Sequence, residues 1–322
     1  MKWRTDITIE DYPFGLDYEN KIFMIGSCFS DHIGSLLKRN KFNVWKNPHG
    51  VIFNPISIFN QMTYFLDPEI LNENQLEEND GIWHHFDFHG QISGTDKFQV
   101  FQKLKVDIIN SANFLRQADF LFITLGTANV YTRNSTGKIV ANNHKFPIGE
   151  FKKQRLSTNE ISLAFDQIKP RLFDLNPNLK IIFTVSPVRY LRDGLIENQR
   201  SKATLLLAID SMEDNKNIFY FPAYEIFQDV LRDYRYYAED MTHPSGPGVS
   251  YVWELFKDKF FNKETKTLQA RIEKLVLSME HRPIHPDSNN HQKFRIQLMK
   301  DCAQITEDYP FIDFSNQLLN LS

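Results

Sequence analysis

Apolar residues gather into short unbroken runs at four places along the chain: Lys21-Ile22-Phe23-Met24-Ile25, Phe120-Leu121-Phe122-Ile123-Thr124-Leu125, Lys180-Ile181-Ile182-Phe183-Thr184-Val185 and Asn217-Ile218-Phe219-Tyr220-Phe221-Pro222. None alternates with polar residues, so each reads as a strand buried on both faces. The first three are closed by Gly26, Gly126 and Ser186-Pro187. Between the runs the apolar period changes to that of a helix. Phe29, Ile33, Leu36 and Leu37 follow the first run, with Asp31 early and Lys38 and Arg39 late, where each charge complements the helix dipole. Asn54-Pro55, an N-cap before a proline, opens a helix through Ile58, Met62 and Phe65. The capping box Ser157-Thr158-Asn159-Glu160 opens another through Ile161, Phe165, Ile168 and Leu172, which Pro170 should kink or shorten. Further helices are predicted from Ser201 to Met212 and from Val249 to Phe260, then through Leu268, Ile272, Leu275, Val276 and Met279, and through Phe294, Leu298, Cys302 and Ile305.

Strands alternating with helices predict an α/β fold, a parallel sheet covered on both faces, with ligands bound beyond the carboxyl ends of the strands. Ser27, Gly126 and Ser186 would lie there. The predicted organisation is one α/β domain over residues 1–260 and a helical C-terminal extension, 261–322, packing on it. Residues 67–118 read as an insertion over the sheet, beginning with a polar, turn-rich stretch that carries Trp83-His84-His85-Phe86-Asp87-Phe88-His89.

Composition narrows the function by exclusion. A net charge of −3 with no run of five or six like charges argues against nucleic acid and anionic membranes as partners. Two cysteines supply no disulfide framework, no segment has the length and apolarity of a membrane span, and the N-terminal residues lack the core of a signal peptide. A cytoplasmic protein is expected. His84, His85 and His89 with Asp87 lack a metal-ligand spacing, so neither a metal nor a cofactor is expected. Oligomeric state is not legible.

The candidate chemistry sits at strand ends. Ser27, at a predicted helix start, has two readings: a nucleophile beside unpaired backbone amides, or a plain N-cap. Its neighbour Cys28 reads as a buried structural thiol. Downstream of the fourth run, Asp240 stands three residues before His243. In a turn, such a carboxylate can bond the imidazole Nδ1 and leave Nε2 to take a proton from a serine.

With these residues in place the chain resembles the GSCFA family and, through it, the SGNH/GDSL hydrolases. The resemblance rests on Gly26-Ser27-Cys28-Phe29-Ser30, Asn47-Pro48-His49-Gly50-Val51-Ile52-Phe53-Asn54-Pro55, Gly126-Thr127-Ala128-Asn129-Val130-Tyr131, Ala141-Asn142-Asn143-His144-Lys145, Thr184-Val185-Ser186-Pro187-Val188-Arg189 and Asp240-Met241-Thr242-His243-Pro244-Ser245. It implies a three-layer α/β/α, flavodoxin-like fold and a triad of Ser27, Asp240 and His243. It departs from the SGNH pattern at Ala128, where the wider group carries an oxyanion-hole asparagine. Gly50, Asn54, Gly126, Asn129, Asn142, His144, His89 and Arg189 are the candidates for completing the oxyanion hole or binding substrate, with the Ser27 amide as one donor. Arg189 suits a carboxylate or phosphate, or a structural salt bridge. The expected activity is that of a serine esterase removing an O-acyl group from a carbohydrate or other small polar ester. The alternatives are an acyltransferase using the same triad and a non-catalytic binder of an anionic sugar or nucleotide.

Overall fold

The computed structural model describes residues 5–281, 284–285, 288–315 and 318. In chain order the strands are β1 (Lys21–Gly26), β2 (Asn43–Lys46), β3 (Leu76–Asn79), β4 (Ile82–His85), β5 (Ser93–Gly94), β6 (Phe120–Leu125), β7 (Asn129–Arg133), β8 (Ile139–Val140), β9 (Phe151–Arg155), β10 (Lys180–Val185) and β11 (Ile218–Tyr220). The helices are α1 (Cys28–Arg39), α2 (Pro55–Leu66), α3 (Lys97–Arg116), α4 (Thr158–Leu175), α5 (Leu195–Met212), the short α6 (Ala223–Glu225), α7 (Gly246–Phe260), α8 (Lys263–Glu280) and α9 (Asn289–Asp308).

The four apolar runs become β1, β6, β10 and β11, and with β2 they form one sheet in the order β11-β10-β6-β1-β2. β1 with β6, β6 with β10 and β10 with β11 all pair in parallel. Among these five strands, the order reverses direction between β1 and β6, which opens a crevice outside their carboxyl ends. One face of the sheet, with Phe23, Ile25, Leu121, Ile123, Ile181 and Phe183, shares a core with buried residues of α2, α3, α4 and α5. On the other face α1 lies close: a Cβ on its Gly34 would stand 3.2 Å from the Met24 sulfur. Helices thus flank the sheet.

Two predicted elements differ in extent. Pro170 was expected to kink or shorten α4, and the helix is not shortened there but continues to Leu175. Pro170 is exposed while Phe165, Ile168 and Leu172 are buried, so the carbonyl it deprives of a donor faces water. α5 starts at Leu195, ahead of the predicted Ser201; Leu195 and Ile196 are exposed, so its first turn has no apolar period for the sequence to show. The polar stretch after α2 forms the small antiparallel sheet β3-β4-β5, and β7, β8 and β9 form another. α3 buries Val100, Leu104, Ile108 and Leu115 in the main core.

The chain divides into two compact units. The first holds the residues up to Glu10, Lys21–Gly34 and Val44–Glu254, and hence the sheet. The second gathers Asp11–Asn20, Ser35–Asn43 and the chain from Leu255 onward. Within that second unit Leu268, Ile272 and Leu275 of α8 and Leu298, Cys302 and Ile305 of α9 are buried, Tyr18 stacks on Phe42 at 4.0 Å, and Gln269 Nε2 donates to Oδ1 of the buried Asn40 at 2.9 Å. No helix among the described residues is long and apolar enough to cross a membrane.

Candidate active site

The end of β1 is built around Gly26. Its φ of +131° is open to glycine alone, and a Cβ there would stand 2.1 Å from the Thr124 carbonyl oxygen. Its amide donates to Asn47 Oδ1 (2.9 Å) and its carbonyl accepts from Ile52 (3.0 Å), so the 47–52 turn wraps the strand end. The Ser27 amide then adds one more rung to the ladder, donating to Thr124 O at 3.1 Å. That bond corrects one expectation: the Ser27 amide is not an unpaired oxyanion donor. Ser27 itself is 1% exposed. Its Oγ accepts from the Phe29 amide at 3.3 Å, an N-cap contact. Because residue 27 is still held on the sheet, the first residue to leave it is Cys28, which is half-buried where a fully buried thiol was expected. Burial raises the Cys28 thiol above the usual cysteine range, and Asp31 adds to that.

Asp240 and His243 meet as their spacing predicts. Met241 takes a left-handed conformation (φ +54°) and turns the chain back, and the loop is closed by bonds from Ala238 N to His243 O (2.8 Å) and Ser245 N to Tyr236 O (2.7 Å). Asp240 Oδ1 accepts from the Thr242 and His243 amides, each at 2.9 Å, and Oδ2 accepts from His243 Nδ1 at 2.6 Å. The imidazole bond first, and then the two amides, hold the Asp240 carboxyl down to about 2. With Nδ1 committed, Nε2 is the ring nitrogen left for chemistry. His243 lies near enough to α1 that its charge contributes to lowering His32, a half-buried histidine one turn beyond Cys28 whose main perturbation is burial. Among the described residues no hydrogen bond joins Ser27 Oγ to His243 Nε2.

The loop after β6 sits across the crevice with its donors already engaged. Gly126 and Thr127 both donate to Phe53 O (2.7 and 3.0 Å), Ala128 to Ser201 Oγ (2.7 Å) and Asn129 to Thr127 Oγ1 (3.0 Å). The Asn129 side chain donates to Asp193 Oδ2 at 2.7 Å, and Asn54 caps α2 through both of its side-chain atoms. The Gly50 amide bonds Asn47 O. Gly126, Asn129, Asn54 and Gly50 therefore brace the loops. Gly50 (φ +83°) also makes room for His89, whose Cβ would lie 2.5 Å from a Cβ at residue 50. Next to it, Gly90 lies against Asn142 and His144. His144 is buried, stacks on His84 at 4.5 Å, places Nε2 3.0 Å from His85 O, and is pushed down by burial to about 4. Asn142 Oδ1 accepts from the His144 amide at 2.8 Å. Thus Gly50, His89, Asn142 and His144 form one side of the region, and Arg189 lies on another, tied to the dyad loop by its amide bond to Thr242 O (3.1 Å). Among the described residues no cluster of three or more His, Cys, Asp or Glu is arranged to hold a metal.

The sequence reading missed Lys202. Fully buried in α5, it donates to Gly126 O (2.6 Å) and Ser186 O (2.7 Å), joining the ends of β6 and β10. No carboxylate accompanies it among the described residues, and burial pushes it down to about 7. A lysine immediately before the stretch Ala203-Thr204-Leu205-Leu206-Leu207-Ala208 was a signal of sorts, but its acceptors are carbonyls that periodicity cannot show.

The profile of the GSCFA family matches residues 21–256, and that of the GSCFA domain protein, C-terminal domain, matches residues 272–321. No curated protein matches the sequence. Among solved structures the chain is similar to an acetyl xylan esterase, Est2A, from the rumen bacterium Butyrivibrio proteoclasticus, at 10% identity and a TM-score of 0.38. That match covers 75% of this chain and spans 63% of the other.

Proposed function

We propose that this chain, which belongs to the GSCFA family, is an acyl-transfer enzyme: an esterase that removes an O-acyl group from a carbohydrate or another small polar ester. The observation that carries the reading is the Asp240–His243 dyad, whose carboxylate takes two backbone amides and Nδ1 and thereby fixes the tautomer that presents Nε2 as a base. In this reading Ser27 Oγ attacks the acyl carbon while His243 Nε2 takes the hydroxyl proton. The same proton passes to the leaving alkoxide oxygen, and the acyl-enzyme ester remains. Water, or an acceptor hydroxyl in a transferase, gives its proton to His243 and attacks that ester, which returns Ser27 to its hydroxyl form.

A second nucleophile is favoured by one observation. Ser27 is 1% exposed and its hydroxyl caps α1, whereas Cys28 is half-buried at the first position of that helix. With a thioester in place of the ester, the same proton transfers run through His243.

The test is hydrolysis of p-nitrophenyl acetate and labelling by a fluorophosphonate in the purified full chain. Ser27→Ala abolishes labelling and turnover if Ser27 is the nucleophile. If turnover survives in Ser27→Ala and disappears in Cys28→Ala, the thiol carries the acyl group. His243→Ala is expected to slow either route by roughly 10²–10⁴-fold. Turnover unaffected by His243→Ala would refute the dyad's role, and saturable binding of sugar phosphates or nucleotides without any turnover would favour a binding protein.

A further inference from the structure

Arg189 is the feature that the proposed chemistry leaves unused. Its backbone is fastened to the dyad loop through Thr242 O, and its guanidinium lies 4.0 Å from the ring centroid of Tyr237 and 5.3 Å from that of Tyr234. Ring faces hold the cation in place but engage none of its fork of in-plane N–H donors as a carboxylate would. Several other arginines of the same unit are paired, Arg133 with Glu77, Arg155 and Arg200 with Glu197 and Arg235 with Asp233, while Arg116, Arg171, Arg192 and Arg232 have no ion pair among the described residues. Among the described residues no carboxylate pairs with Arg189. Its guanidinium lines a cavity of about 450 Å³, together with Gln199, Tyr224, Gln228, Arg232 and Tyr237. Two carboxylates share that lining. Asp233 is taken by Arg235, and Asp229 is exposed.

The remaining polar groups of the cavity are oriented by one another. The Tyr224 hydroxyl donates to Gln199 Oε1 at 2.5 Å, which leaves the Gln199 amide N–H groups for a ligand. Gln228 donates to the Tyr237 hydroxyl at 3.2 Å. The cavity has room for a molecule of sugar size, aromatic side chains for its ring faces, and one restrained guanidinium with open donors beside the catalytic loop.

We infer that this cavity holds the anionic group of the substrate, a carboxylate or phosphate carried on a sugar-sized molecule and gripped by Arg189. The inference rests on the acyl-transfer reading for what happens next to it, but not for binding itself. Arg189 is a specificity residue in this account: it seats the charged end while Asp240 and His243 act on the ester.

The experiment compares three acetate esters in the full chain: an acetylated methyl glucuronide, an acetylated glucose 6-phosphate and an acetylated methyl glucoside, at fixed ionic strength. The wild type is expected to favour one or both anionic esters over the neutral one at least tenfold in kcat/KM, and the arm that gains identifies carboxylate or phosphate. Arg189→Gln removes that preference through KM, and Arg189→Lys restores part of it, more for phosphate than for carboxylate because the ammonium cannot make the bidentate fork. Equal kcat/KM for all three esters, or an anionic preference that persists in Arg189→Gln, overturns the proposal. If no ester is turned over, the acyl-transfer reading fails and binding alone decides the cavity. Calorimetric titration with methyl glucuronide and glucose 6-phosphate should then give a saturable isotherm in the wild type that Arg189→Gln abolishes. No isotherm, or one unchanged in the variant, overturns it.

Discussion

Gly26 is the residue on which the geometry of the site depends most directly. A methyl group there meets the Thr124 carbonyl at 2.1 Å and the backbone is left-handed as well, so both sterics and conformation oppose any side chain. Gly26→Ala is expected to cost about 3 kcal/mol or more, read as a lower urea midpoint at unchanged slope. A loss under 1 kcal/mol would mean that the β1–β6 junction is far more pliant than drawn. The same junction explains what could be read in advance and what could not. Asp240 and His243 were legible because one local turn, with Met241 left-handed, brings them together. The relative exposure of Ser27 and Cys28 was not, since it is decided by a bond to Thr124 on a strand remote in sequence. The duty of Asn129 was hidden for the same reason, since its partner Asp193 is set by packing, whereas the cap that Asn54 makes on α2 is local and was legible.

Among the helices, α4 makes the sharpest statement. Its N-terminus carries a complete capping box, Ser157 Oγ accepting from the Glu160 amide at 3.2 Å and the Glu160 carboxylate accepting from Ser157 N at 2.7 Å. Ser157→Ala should therefore cost about 1 kcal/mol. Pro170 acts in the opposite sense. It lies well inside the helix, on the exposed side, and removes a backbone donor without filling any core space. Pro170→Ala is expected to stabilise the protein by about 1–3 kcal/mol, seen as a raised melting temperature. An unchanged or lowered melting temperature would show that the helix uses a bend there. Capping residues and apolar periods made α2 and α4 readable from sequence, whereas the exposed first turns of α5 offered no period to read.

For the whole molecule, Lys202 couples folding to pH. Below about 7 the lysine is protonated in both the folded and unfolded chains, and the folded chain bears the full cost of burying the charge. Between about 7 and the ordinary lysine range only the unfolded chain keeps the proton, so native stability gains as pH rises through that window. The stability of wild type relative to Lys202→Met should accordingly climb between pH 7 and 10 in parallel urea titrations. The variant also strands the carbonyls of Gly126 and Ser186, a constant offset that leaves the slope alone. A flat difference would mean that the buried lysine keeps ordinary basicity. The strand order has a consequence in time as well. β1 lies inside the sheet, but its partner β6 and the dyad loop come much later in the chain. At roughly 5–20 residues added per second, a ribosome that has made Ser27 needs about ten to forty seconds more to reach His243. For that interval the nascent chain has no dyad, and for about its first half, until β6 is made, β1 lacks its central partner, so chaperone capture early in synthesis should centre on the segment around β1.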